Sequence, residues 1–297
     1  MTTSEQCALS WISAIDKRHE YDHVVAFSGG VDSSLVAALV FKAFPHSSRA
    51  VLGVSSSLSA TQHTLAHNIA TQIGIPLEEV YTEEGTNEVY LENEGQACYA
   101  CKTSLYTALN WEKILSVKME RTNDDKDILR KNDDFLAKKG KRKVLYNGTN
   151  ADDVKDATRV GLKAAHEFDV ISPLLSLGLT KDKVRALAKE IGLSNHDYAA
   201  SPCLRSRLAY GVRATTDALK RVEQAEELVK KNLKNMINTS TNFRVRHLKS
   251  GGARIELDEH ILEKQMAENE LLLETLGTQI VAKLGYSHVV YGKYKPK

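Results

Sequence analysis

Seven consecutive residues, Ser28-Gly29-Gly30-Val31-Asp32-Ser33-Ser34, constrain this chain more than any other stretch. They sit between an apolar run, His23 to Phe27, and an amphipathic run striped by Leu35, Val36, Leu39, Val40 and Ala43. A strand that turns through two glycines into a helix presents unpaired backbone N–H groups at the positive end of a helix dipole, which suits an anion such as phosphate. ATP is therefore the first ligand to consider.

The chain has 297 residues, enough for one large or two ordinary domains, and 42% hydrophobic with 26% charged residues is the composition of a globular protein. A net charge of +2 is too mild to imply a polyelectrolyte partner, so nucleic acid is not expected. No apolar stretch approaches the roughly 18–20 residues that span a bilayer, and residues 1–18 carry no signal-peptide core, so a cytoplasmic protein without a membrane partner is expected. Four cysteines, Cys7, Cys98, Cys101 and Cys203, make no disulfide framework in a chain this long. In a reducing compartment such a set points to metal or redox chemistry.

Beyond the loop, Ala50 to Ser55 reads as a buried strand, Ser59 to Gly74 as a helix, Leu77 to Thr82 as a strand and Val144 to Gly148 as another. Strands alternating with helices imply a parallel sheet covered on both faces. Thr180 to Gly192 reads as a helix with Thr180 as N-cap, a stripe of Val184, Leu187, Ala188 and Ile191, and Gly192 as its stop. Between the strands at 77–82 and 144–148 lies a charged insertion, about 113–143, rich in Asn, Asp and Lys, which reads as a solvated segment with no role in chemistry.

From about Thr215 the pattern changes. A helix striped by Val222, Ala225, Val229, Leu233 and Met236 precedes two alternating strands joined by Ser250-Gly251-Gly252. The first strand sends Phe243, Val245 and His247 to one face and Arg244 and Arg246 to the other. The second sends Ala253, Ile255 and Leu257 one way and Arg254 and Glu256 the other. A helix over His260 to Leu276 and a last strand over Ser287 to Tyr291 complete a small α+β domain. We expect two domains, 1–196 and 197–297.

No G-x-x-x-x-G-K-[ST] loop occurs in the chain, which argues against γ-phosphate transfer by a P-loop NTPase. Gly29 and Gly30 let backbone approach a pyrophosphate, and Ser28, Ser33 and Ser34 offer hydroxyl donors. Asp32 either holds the loop or meets a Mg²⁺ that bridges the phosphates. Asp152 and Asp153 follow a strand at the sheet end where such folds bind ligands, to meet Mg²⁺ or substrate or to cap the next helix.

Cys98-Tyr99-Ala100-Cys101 is a CxxC pair, and Cys203 stands alone in Ser201-Pro202-Cys203-Leu204-Arg205-Ser206-Arg207. The pair reads as a redox couple, half of a zinc site that Cys203 and His196 would complete, part of an iron–sulfur site, or inert thiols.

The heptad from Ser28 to Ser34 resembles the signature of the PP-loop ATP pyrophosphatases, which cleave ATP between the α- and β-phosphates to adenylylate a substrate oxygen. Asn93 to Lys102, Gly148 to Asp153, Arg159 to Lys163, Ser172 to Leu175, Thr180-Lys181 and Cys203 to Gly211 together resemble the LarE family of ATP-dependent sulfur transferases. The resemblance covers nearly the whole chain except the charged insertion. It implies an α/β fold: a doubly wound parallel sheet of the PP-loop, adenine nucleotide alpha hydrolase-like type, with a smaller C-terminal α+β domain.

The resemblance also implies a reaction. ATP with Mg²⁺ adenylylates a small-molecule carboxylate, pyridinium-3,5-biscarboxylic acid mononucleotide or a similar compound, and sulfur replaces AMP to give a thiocarboxylate. Members with three cysteines hold a [4Fe-4S] cluster, so Cys98, Cys101 and Cys203 are the expected catalytic and cluster residues; the sulfur donor is not named by the sequence. Arg207, Arg244 and Arg246 are implied as binders of substrate or nucleotide phosphate, Glu226 as a divalent-metal contact, and a homo-oligomer as the assembly. The family's Arg-Pro-Gly is Arg159-Val160-Gly161 here, and the charged insertion is longer than the family needs. Two other readings compete: a tRNA-thiolating PP-loop enzyme, against which stands the absence of a basic–aromatic stripe, and a non-catalytic nucleotide-binding or sulfur-carrier protein.

Overall fold

The structure is a computed structural model that describes residues 3–17, 20–109, 142–156, 159–268 and 270–295. Nearly all of the charged insertion expected at about 113–143 lies outside these residues. Two compact units emerge, one of Met1–Glu84 with Cys98–Asp197 and one of Gly85–Ala97 with Tyr198–Lys297. A single cut at 196/197 lacks the excursion over 85–97.

In the first unit, β1 (Asp22–Ala26), β2 (Ser48–Val54), β3 (Leu77–Tyr81) and β4 (Lys143–Tyr146) form a parallel sheet in the order β3-β2-β1-β4. The helices here are α1 (Thr3–Ser13), α2 (Val31–Ala43), α3 (Ala60–Ile73), α5 (Ala97–Leu109), α6 (Gly161–Glu167), α7 (Pro173–Ser176) and α8 (Lys181–Glu190), while α4 (Glu88–Leu91) falls in the other unit. Alternation along the strands sorts the core into two layers. Val25, Ala50, Leu52 and Tyr146 pack with Leu35, Leu39, Ala66, Ile69 and Leu187 on one face. Val24, Val51, Val80 and Leu145 pack with Tyr106, Leu109 and Ala164 on the other. Both faces are covered, as a parallel sheet requires. The expected doubly wound sheet is the one observed.

Local signals account for helix ends. Ser59 accepts from the Gln62 N–H at the start of α3, and Gly74 closes that helix at φ 82°. Thr180 makes no side-chain cap on α8. That role passes to Asp152, whose Oδ2 accepts from the Lys181 N–H at 2.8 Å, an acceptor 29 positions away that local sequence does not reveal.

In the second unit, β5 (Phe243–His247) pairs antiparallel with β6 (Ala253–Leu257), and β6 pairs parallel with β7 (Val289–Lys293). Helix α9 (Thr216–Asn232) begins at a Thr215 cap and buries Val222, Ala225 and Val229, the last two packing with residues of this sheet. The single helix expected over His260 to Leu276 is two, α10 (Glu259–Glu268) and α11 (Glu270–Leu284), and the last strand starts at Val289 rather than Ser287. The excursion is tied in by Asn93, buried and left-handed at φ 54°, whose Nδ2 donates to Ala209 O at 3.0 Å and Val212 O at 3.1 Å. Its Oδ1 accepts from Arg205 at 2.6 Å. Among the described residues, no helix is long and apolar enough to cross a membrane.

Candidate functional site

The turn from β1 to α2 is closed by its own side chains. Ser33 Oγ donates to Gly30 O at 3.0 Å and accepts from the Ser28 N–H at 3.2 Å, and the Ser28 and Ser33 hydroxyls are 3.2 Å apart. The first α2 bond runs from Ser34 N to Gly30 O, so the N–H groups of residues 31–33 stand ahead of the helical ladder. Gly29 has φ 72°, and a Cβ there would lie 2.7 Å from Ala66 Cα in α3. Gly148, just beyond β4, is as confined: its Cβ would lie 2.6 Å from Ser33 N. Two flanking backbones thus press on the loop, and both approaches need glycine. A cradle of this kind fits the phosphates of a nucleotide.

Asp32 holds that cradle from below. Its Oδ1 accepts from Asn150 Nδ2 at 3.1 Å and its Oδ2 from Lys181 Nζ at 2.5 Å. Asn150 in turn accepts from the Asp152 N–H at 2.9 Å, and its own N–H donates to Asp153 Oδ2 at 3.0 Å. Of the roles open to Asp32 and Asp152, holding the loop and capping a helix are those the geometry displays. Asp152 is kept below the usual carboxylate range by Lys155 first and by the Lys181 N–H next. Lys181, with a cation beside the loop, can also meet a phosphate.

Sequence reasoning missed Asn195. Buried beyond the end of α8, it donates to Gly29 O at 2.8 Å and to Ser34 Oγ at 3.0 Å, pinning both halves of the loop from 166 positions away. No motif marks it. Asn195→Ala is expected to lower stability by about 1–3 kcal/mol by stranding two buried acceptors, read from the urea midpoint. An unchanged midpoint would mean that the clamp carries nothing.

Cys98 and Cys101 stand one helical turn apart on α5, so their side chains share a face. Cys98 is exposed, and Cys101 is half-buried with Sγ 3.8 Å from Glu84 Oε1. Lys102 follows them. Burial pushes its ammonium below the usual range against the opposing pull of Cys98 and Asp153, and Arg159 adds to the lowering. Arg159 itself pairs with Asp153 at 2.8 Å. One charge neighbourhood therefore runs from the CxxC pair through Lys102 to Asp153 and Asn150 behind the nucleotide loop. Two thiols on one helix face are soft donors of the kind that hold iron–sulfur clusters.

In the second unit, exposed Cys203 begins the short turn Leu204–Arg207. Arg207 donates to the carbonyls of Pro202 and Cys203, fixing the backbone on which that thiol is carried. Its Nε also donates to Glu226 Oε1 at 2.9 Å, and the same oxygen accepts the Val245 N–H at 3.1 Å. In this structure Glu226 is the counter-ion of Arg207, with two donors on its Oε1.

Arg244 and Arg246 both donate to Glu256, at 2.5 and 3.1 Å. Burial and then the neighbouring Arg244 push the Arg246 guanidinium below its ordinary range, with Arg207 adding to the same effect. The three arginines expected from the sequence thus gather around two carboxylates and leave one positive charge in excess. That surplus on planar donors suits a phosphate or carboxylate. The polar face of β5 is not solvated as plain alternation implies, for Arg244 is only 5% exposed and Glu256 7%.

Residues 5–102 match the family model described as NAD synthase. An uncharacterized protein of Synechocystis sp. is 34% identical over 203 residues, which are 68% of this chain and 66% of that protein. The pyridinium-3,5-bisthiocarboxylic acid mononucleotide synthase of Lactiplantibacillus plantarum is 28% identical over 207 residues, 69% of this chain and 66% of that enzyme. An uncharacterized protein of Methanocaldococcus jannaschii is 24% identical over 280 residues, 91% of each chain. The chain therefore spans 66% of the length of the first two relatives.

Proposed function

We propose that the chain, a LarE-like PP-loop protein, is an ATP-dependent sulfur transferase that activates a small-molecule carboxylate by adenylylation. The observation that carries this reading is the loop from Ser28 to Ser34, pressed by α3 at Gly29 and by Gly148, and anchored through Asp32 to Asn150 and Lys181. A carboxylate oxygen attacks the α-phosphorus of ATP and pyrophosphate leaves. The acyl adenylate then takes a sulfur nucleophile at its carbonyl carbon and AMP leaves, giving the thiocarboxylate.

Residue roles follow from this chemistry. Ser28, Gly29, Gly30, Ser33 and Ser34 form the phosphate cradle, and Asp32 keeps it in register. Mg²⁺, when bound with the nucleotide, would offset the charge of its phosphates, and Asp32 is the loop carboxylate that would meet it. Arg207, Arg244 and Arg246 bind the anionic groups of substrate or nucleotide. The named relative makes a bisthiocarboxylic acid mononucleotide, and its dicarboxylic precursor, or a similar small acid, is the proposed acceptor.

Cys98, Cys101 and Cys203 are the proposed sulfur residues, a reading supported by their thiol chemistry and by the CxxC spacing on α5. Cys98, Cys101 and Cys203 would hold a [4Fe-4S] cluster, which would supply the capacity to bind and deliver sulfide. Such chemistry belongs in a reducing cytoplasm.

Two measurements separate the halves of the proposal. Purified protein is expected to catalyse ATP–pyrophosphate exchange that depends on added pyridinium dicarboxylate mononucleotide; exchange absent with that and with a panel of small acids would remove the adenylylation step. After anaerobic reconstitution with iron and sulfide, wild type is expected to hold about four irons per chain and Cys203→Ala far less. Equal, low iron in both would sink the cluster and leave the ATP chemistry standing.

A further inference from the structure

Away from the loop, α3 and β3 bring together three side chains that the sulfur chemistry does not use. His63 and His67 are one turn apart on α3, their ring centroids 4.7 Å from each other. Their Nε2 atoms lie 2.6 and 2.7 Å from the same oxygen, Oε1 of Glu79 on β3. All three ligand atoms fall within 4.8 Å of one another. Two imidazole nitrogens and one carboxylate oxygen, with a further position open to water, are the donor set of an open zinc centre.

We propose that His63, His67 and Glu79 bind a divalent transition-metal ion of the Zn²⁺ class. Bonds of about 2.0–2.1 Å to a tetrahedral ion place ligand atoms about 3.4 Å apart, so each nitrogen must withdraw from Oε1 by less than an ångström. The side chains are free to make that adjustment, being 39, 46 and 27% exposed for His63, His67 and Glu79. The ring protons move from Nε2 to Nδ1 as the ion replaces the hydrogen bonds, so both rings coordinate in the neutral form. Glu79 supplies the negative charge, as the carboxylate does in such donor sets. Two nitrogen ligands favour a borderline ion over Mg²⁺, which prefers all-oxygen shells.

The site also has a place in the fold. Ala66, between the two histidines in sequence, is the residue that Gly29 presses against, and Gln62 donates to Ser28 O. An ion joining α3 to β3 therefore fastens the helix on which the phosphate loop rests.

The test uses the full chain with Cys7→Ser, Cys98→Ser, Cys101→Ser and Cys203→Ser, so that no thiol competes for the metal. Titration calorimetry with Zn²⁺ is expected to show one equivalent bound, Mg²⁺ no comparable binding, and His63→Ala/His67→Ala or Glu79→Gln at least about 10-fold weaker Zn²⁺ affinity. Unchanged affinity in folded variants, or Mg²⁺ bound as tightly as Zn²⁺, would overturn the proposal. Should a variant fail to fold, Cu²⁺ bound to the parent chain decides by electron paramagnetic resonance: hyperfine structure from two imidazole nitrogens is expected, and an all-oxygen signature would refute the site.

Discussion

Gly29→Ala is expected to lower the stability of the protein by about 2–5 kcal/mol and to abolish ATP–pyrophosphate exchange. The left-handed backbone alone costs an L-residue about 1–2 kcal/mol. The new methyl group then meets α3 where it cannot yield, 2.7 Å from Ala66 Cα and 2.9 Å from Ala66 N. Overpacking against backbone adds about 1–3 kcal/mol. The neighbouring glycine is the control: Gly30 has φ −74°, and the nearest atom to a Cβ there is Ser28 Oγ at 3.5 Å. Gly30→Ala should therefore fold almost as wild type. Urea unfolding of both variants checks this, and equal midpoints would show that the approach of α3 does not constrain the loop.

The second large effect is expected at Arg207. Arg207→Met leaves Glu226 buried with its charge unpaired, which costs about 3–5 kcal/mol; the side chains are 5% and 11% exposed. Loss of the bonds to Pro202 and Cys203 also frees the backbone carrying the exposed thiol. Adding Glu226→Leu removes the orphaned charge and should restore much of the stability, since replacing both partners by apolar groups is often neutral. Sulfur transfer should stay impaired, because the fixed position of Cys203 is not restored. If the double variant denatures no later than the single one, the ion pair is not the source of the loss.

Much of the fold was legible because its signals are local. Two glycines between an apolar and an amphipathic run place the loop, alternation sorts Val24 from Val25, and Ser59 and Gly74 bracket α3. Where partners are remote, the sequence is silent. Asn195 looks like any polar residue after a helix, and Lys181 like a first-turn lysine, until folding brings them to Gly29 and Asp32 across 166 and 149 positions.

Strand alternation showed correctly that Arg244 and Arg246 share a face, but periodicity does not say what covers a face. That Glu256 and Glu226 make burial tolerable there is a tertiary fact. The division between α10 and α11 was missed because neither Gly nor Pro marks it. Nothing in the sequence around His63 and His67 says that both meet one carboxylate, because Glu79 comes from the next strand.

The placement of residues 85–97 in the second unit has a consequence for the order in which a growing chain can mature. Asn93 leaves the ribosome long before its partners, since Ala209 lies 116 positions and Val212 119 positions later. At about 5–20 residues per second, synthesis of that interval takes roughly 6–23 s. Throughout that time the segment that leads into the cysteine helix has no native surface to join, so the nucleotide-binding sheet can assemble its first three strands while the start of α5 still waits. Maturation of residues 85–97 is thereby timed to the completion of the C-terminal unit.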